Sequence, residues 1–93
     1  MGISIANIDL AAPVILAPMS GVTDRPFRNL VRGWGVGLVV TEMIASADVI
    51  HAQRKEMRNL SADAGAEHPL AVQLAGWDPL TMAAAARLCR DRG

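Results

Sequence analysis

Three times along its length the chain repeats one pattern: a short apolar run, a tight polar turn, and a longer stretch of helical character. The first run, Val14-Ile15-Leu16-Ala17, lies between Pro13 and Pro18, and its unbroken apolar character suits a strand buried on both faces. Asp24 then caps a helix whose first turn holds Pro26, a position where a missing amide hydrogen costs little. Phe27, Leu30, Val31 and Trp34 follow at i, i+3, i+4 and i+7, a single apolar stripe, with Arg28 and Arg32 expected on the solvated side. Gly33, Gly35 and Gly37 end the helix.

The second unit opens with the β-branched run Gly37-Leu38-Val39-Val40-Thr41, expected as a strand. Glu42-Met43 leads into a helix over residues 44–53, and the polar residues 54–67 read as a connecting loop. In the third unit Pro69 precedes a strand over residues 70–74 that carries one polar residue, Gln73. Gly76-Trp77 turns the chain, Asp78 caps, and Pro79 opens a helix towards Arg92, with Leu80, Ala84 and Leu88 along one face and Gly93 as its stop. Ahead of all three units, residues 3–10 alternate partly around Asn7, which suits a small hairpin.

Strands and helices alternating with crossovers this short imply parallel pairing and right-handed βα units. Two architectures use that repeat, the doubly wound open sheet and the eight-unit (β/α)8 TIM barrel. A complete barrel needs about 250 residues. On the barrel reading these 93 residues supply the first three βα units of an incomplete barrel, with the hairpin plugging its floor. Helices on one side alone would leave the other sheet face and a strand edge open, so self-association through that edge is expected.

Nine basic and nine acidic side chains cancel, whereas a free-standing nucleic-acid binder carries a basic excess. An apolar share of 52% excludes whole-chain disorder, and an aromatic share of 3% leaves a core of aliphatic residues, with methionines other than Met19 as filler. The apolar run from Leu10 to Met19 is broken by two prolines and is half the length of a membrane span, which takes about 20 residues. No Lys or Arg precedes Arg25, so the charged region of a secretory signal is missing. Cys89 is the single cysteine and has no internal partner, which fits a reducing cytoplasm.

Chemistry in βα proteins sits in the loops at the carboxyl ends of the strands, here residues 17–24, 41–43 and 73–76. Gln73 is the most informative of these. An amide in a buried strand must satisfy donors and an acceptor, and leaving them unpaired costs about 1–3 kcal/mol. A ligand edge that alternates donors and acceptors would satisfy it, and so would a neighbouring loop backbone. Glu42 either binds a substrate or braces a loop. Gly33-x-Gly35-x-Gly37 follows a helix and precedes a strand, the reverse of a dinucleotide loop. His51 and His68 have no cysteine or carboxylate cluster that would make a metal site. Arg54, Lys55 and Arg58 read as a solvated loop around Glu56, with RNA phosphate as the functional alternative.

The segment Ala17-Pro18-Met19-Ser20-Gly21-Val22-Thr23-Asp24-Arg25-Pro26-Phe27-Arg28 resembles the N-terminal signature of the tRNA-dihydrouridine synthases, in the branch similar to bacterial DusB. The likeness continues through Thr41-Glu42-Met43 and Val72-Gln73-Leu74-Ala75-Gly76 with Asp78-Pro79. It implies a flavin-binding TIM barrel followed by a helical RNA-binding domain. It also implies reduction of the uracil C5=C6 bond in a tRNA substrate, with FMN as cofactor and NADPH as reductant. Pro18, Met19 and Ser20 would then line the isoalloxazine, with backbone groups of Met19 and Ser20 at its polar atoms and Gln73 at its pyrimidine-like side.

The family's proton-donating cysteine belongs to an Asn-x-Gly-Cys-Pro segment that these residues do not include, so no catalytic residue is expected within them. Cys89, on the third helix, is a quiet helix-face thiol. The resemblance makes residues 1–93 the N-terminal part of a cytoplasmic enzyme's barrel, inactive alone. The other readings are a non-catalytic half-barrel binding module and a different FMN-dependent barrel oxidoreductase, similar to the dihydroorotate or ene reductases.

Overall fold

A computed structural model describes residues 2–51 and 69–91. The expected hairpin forms first, from β1 (Ile3–Ile5) and β2 (Ile8–Leu10), paired antiparallel with Ile3 opposite Leu10 and Ile5 opposite Ile8. Ser4 Oγ donates to Asp9 Oδ1 at 2.6 Å across the pair. The left-handed residue of the turn is Ala6, at φ 52°, rather than Asn7. Leu10, only 1% exposed, anchors the hairpin to the rest.

A parallel sheet follows, built from β3 (Ile15–Leu16), β4 (Leu38–Val40) and, after an intervening pair of elements, β6 (Leu70–Ala71), in the order β3-β4-β6. Ile15 faces Leu38 and Val39 faces Leu70, so all three strands run the same way, as short crossovers require. Val39, in the middle strand, is fully buried. The two intervening elements are β5 (Ile44–Ala45) and α2 (Ser46–His51), and β5 pairs in parallel with β7 (Leu74–Ala75).

The expected third strand over residues 70–74 is therefore two short strands with Val72-Gln73 between them, and the helix expected from residue 44 starts two residues later. In register terms these are one event. Val40 faces Ala71, an offset of 31, while Ile44 faces Leu74, an offset of 30. Thr41-Glu42-Met43 thus opposes Val72-Gln73, three residues against two, which is a β-bulge. Residues 52 and 53 of the expected helix, the loop 54–67 with Arg54, Lys55 and Arg58, and His68 lie outside the described residues.

Helix α1 (Arg25–Arg32) starts where Asp24 was expected to cap it, with Asp24 Oδ1 accepting the Phe27 N–H at 3.0 Å. The helix stops at Gly33, and the Trp34 and Gly35 amides close the turn on Val31 and Arg32. Trp34 thus falls outside the helix and is 76% exposed, so the four-residue apolar stripe is cut short.

The expected solvation of Arg28 and Arg32 is overturned. Arg28 is only 7% exposed, with Nη1 donating to the Thr23 carbonyl at 3.0 Å, and Arg32 Nη2 donates to the Pro69 carbonyl at 2.7 Å. Long stems bury well when the guanidinium finds main-chain acceptors.

The last helix, α3 (Pro79–Asp91), has Asp78 as its cap: Oδ2 accepts from the Thr81 Oγ1 at 2.6 Å and from the Thr81 amide at 3.2 Å. Its inner face is not the expected Leu80-Ala84-Leu88 row. Leu80 is 81% exposed, and fully buried Ala85 meets Val49 of α2, with Ile44, Leu74, Leu88 and Cys89 packed around them. Met82 is half-buried, but Met43 is 57% exposed and fills no core.

Candidate functional site

Because β3, β4 and β6 are parallel, their carboxyl ends share one edge of the sheet, and residues 17–24, 41–43 and 72–73 emerge there. The first of these loops is tightly held. The Val22 N–H donates to the Met19 carbonyl at 3.0 Å, closing a four-residue turn with Gly21 at its third position and φ +77°. A type II turn demands a positive φ there, which explains the glycine.

Thr23, fully buried, then locks the turn from inside: its Oγ1 accepts the Met19 N–H at 2.8 Å and donates back to the Met19 carbonyl at 3.1 Å. With Arg28 on the Thr23 carbonyl and Asp24 capping α1, the loop is tied down at both ends.

The main chain of Met19 is consequently engaged within its own turn. What Met19 presents outward is its side chain, 42% exposed, beside an exposed Ser20 and a half-buried Pro18. Ser20 thus offers an exposed hydroxyl on this loop and Met19 an exposed apolar side chain. Met19 also borders an apolar groove of about 450 Å³ between β3 and α1, lined by Ile15, Leu16, Val31 and Trp34 among others.

Gln73 sits in the interruption between β6 and β7. Its main chain is fully used, the N–H donating to Thr41 Oγ1 at 3.1 Å and the carbonyl accepting the Ile44 N–H at 2.9 Å. The side-chain amide of this half-buried residue takes no hydrogen bond among the described residues. Of the two outcomes for Gln73, a backbone partner or a ligand edge, the described loops do not supply the first.

Glu42 proves to brace a loop: its Oε2 accepts the Gly21 N–H at 3.0 Å. Pro18, Met19 and Ser20 are thus linked to Gln73 through the neighbouring pair Thr41-Glu42. Sequence reasoning missed Thr23, Arg28 and Thr41, whose partners are main-chain atoms that composition and spacing do not signal.

A second groove, after β5 and β7 and about 340 Å³, is bordered by Ser46, Gly76, Trp77 and Asp78. Two hydrogen bonds from Thr81, the side-chain one first, hold the Asp78 carboxyl below its ordinary range. Cys89 lies away from these loops, in the contact between α2 and α3, and burial raises its thiol pKa. It sits on the last helix, as expected, half-buried in that contact.

Residues 15–93 match the family model described as dihydrouridine synthase (Dus). The chain belongs to the dihydrouridine synthase family. A probable tRNA-dihydrouridine synthase of Rhodobacter capsulatus is 44% identical over the full 93 residues, which cover 29% of that relative. A second, from Rickettsia bellii, is 47% identical over 98% of this chain and 28% of its own length. The tRNA-dihydrouridine synthase B of Xanthomonas axonopodis pv. citri is 44% identical over 96% of this chain and 26% of its own length. The chain thus spans less than a third of these curated synthases. Among the described residues no helix is long and apolar enough to cross a membrane.

Proposed function

We propose that this dihydrouridine synthase chain forms the first three βα units of a flavin-binding TIM barrel and supplies one side of the cofactor mouth. The observation that carries the reading is the side-chain amide of half-buried Gln73, at the carboxyl end of parallel strands and without a hydrogen bond among the described residues. An amide is both donor and acceptor, and the pyrimidine-like edge of a flavin alternates the two, so the donor set fits the group. Met19 offers an apolar side chain and Ser20 a hydroxyl beside it, with Pro18 stiffening the strand end. The cofactor named by this reading is FMN, with NADPH as the reductant.

The chemistry supplied by bound FMN is hydride delivery to the C5=C6 bond of uracil in tRNA. The chain's own part is placement: a turn closed by Thr23 holds Met19 and Ser20, and the Thr41 hydroxyl holds the Gln73 main chain. No proton donor is assigned to these residues. The tRNA substrate and the lone cysteine both accord with a cytoplasmic setting.

A second reading, a half-barrel that binds without catalysis, is favoured by β3, an end strand of its sheet among the described residues, where Ile15 is 46% exposed and the preceding Val14 57%. That edge suits self-association or docking of further barrel units.

The test is a turnover assay on the protein carrying this chain, with NADPH and unmodified tRNA, read as dihydrouridine by mass spectrometry. Flavin-dependent dihydrouridine formation is expected, together with its loss in Gln73→Ala at limiting FMN. Flavin-independent product, or no product from a flavin-loaded protein, contradicts the reading.

A further inference from the structure

The bulge at Thr41–Met43 does more than shift the register. It places two consecutive side chains on two different loops: Thr41 Oγ1 on the Gln73 N–H at 3.1 Å, and Glu42 Oε2 on the Gly21 N–H at 3.0 Å. Gly21 and Glu42 are 21 residues apart in sequence. In the turn that presents Met19 and Ser20, the inward amides are those of Val22 and Thr23, which both reach the Met19 carbonyl. The Gly21 amide takes no part in those bonds and donates to Glu42 Oε2 instead, so the reach of the Glu42 side chain is what ties the turn to β4.

We propose that Glu42 is a positioning residue for the cofactor mouth. Its carboxylate fixes the pose of the Met19-Ser20-Gly21 turn relative to Gln73, and the extra residue in the β4–β5 connection exists to aim it. The inference rests on the reading of Met19, Ser20 and Gln73 as flavin contacts. A loop brace with no bearing on ligand would affect stability alone. A positioning brace sets how strongly the two segments engage one ligand together. Glutamine in place of Glu42 keeps an acceptor oxygen at the same reach, aspartate keeps the charge but falls short of Gly21, and alanine removes both.

The experiment is an FMN titration of the protein carrying this chain followed by amide NMR, with amide exchange measured in parallel. In the wild-type chain the Met19, Ser20 and Gln73 resonances should move together. In Glu42→Ala the same shifts should need roughly tenfold more FMN, the Gly21 amide should lose its exchange protection, and the Val39 and Ile44 amides should keep theirs. Glu42→Gln should titrate close to wild type, and Glu42→Asp should behave like alanine, which keeps the test available if the alanine variant unfolds. Wild-type FMN affinity in both Glu42→Ala and Glu42→Asp, or a Glu42→Gln variant as weak as alanine, overturns the positioning role. Wild-type resonances that ignore FMN altogether overturn the flavin reading itself, a distinct result.

Discussion

Arg32 donates from Nη2 to the carbonyl of Pro69 at 2.7 Å, joining the end of α1 to the residue just before β6, 37 positions later. A charged donor on a half-buried carbonyl contributes about 1.5–3 kcal/mol. Arg32→Met keeps much of the stem and removes the donor. It should lower the unfolding free energy by that amount in a urea titration, with an unchanged slope. Stability within about 0.5 kcal/mol of wild type, the range of an ordinary surface substitution, would show that the contact holds nothing.

Thr41→Val tests the bulge. The shape is kept, but the Gln73 amide loses its acceptor and the Glu42 carbonyl loses a 2.9 Å donor from the same hydroxyl. An unpaired buried amide costs about 1–3 kcal/mol. Hydrogen exchange at Gln73 should accelerate accordingly while the Val39 amide stays protected; equal protection at Gln73 would contradict the assignment.

These two contacts mark where the sequence is readable and where it is not. Asp24 with Pro26 and Asp78 with Pro79 announce their helices because a cap and its target amide lie within one turn. The strand runs of the first two units announce themselves by apolar continuity. Arg32 misleads because its acceptor, the Pro69 carbonyl, comes from a distant element, and Arg28 because its acceptor, the nearby Thr23 carbonyl, is a main-chain atom that composition does not signal. The bulge is equally hidden, since it is a mismatch between two segments about 30 residues apart. Gln73 stood out because a polar side chain in an apolar run needs a partner, and that need is local. The link from Gly21 to Glu42 had no such local signal.

Gly37→Ala should be among the most damaging single substitutions. A β-carbon there would run into the Ala12 carbonyl oxygen, a main-chain atom that cannot swing aside, where the Gly37 N–H also reaches the Val14 carbonyl at 2.9 Å. A loss of several kcal/mol, on the order of the strain from overpacking or more, is expected in thermal unfolding. A melting temperature equal to wild type would mean the two segments separate freely.

Burial holds the Cys89 thiol above its ordinary pKa. The folded chain therefore keeps the thiol proton to higher pH than the unfolded chain does. That stabilising contribution is whole below the unfolded thiol's pKa and is lost as the pH rises through the folded one. The unfolding free energy should decline through the alkaline range, and Cys89→Ala should flatten that decline. Alkylation by iodoacetamide at neutral pH should also be slower than for a free thiol; fast alkylation in the folded chain would contradict the packing against Val49 and Ala85.

The most direct measurement is intermolecular NMR contacts between FMN and the chain. Nuclear Overhauser effects should run from one isoalloxazine ring to both the Gln73 side-chain amide protons and the Met19 methyl group. Contacts confined to the helices, or reaching Met19 without Gln73, would contradict a shared mouth.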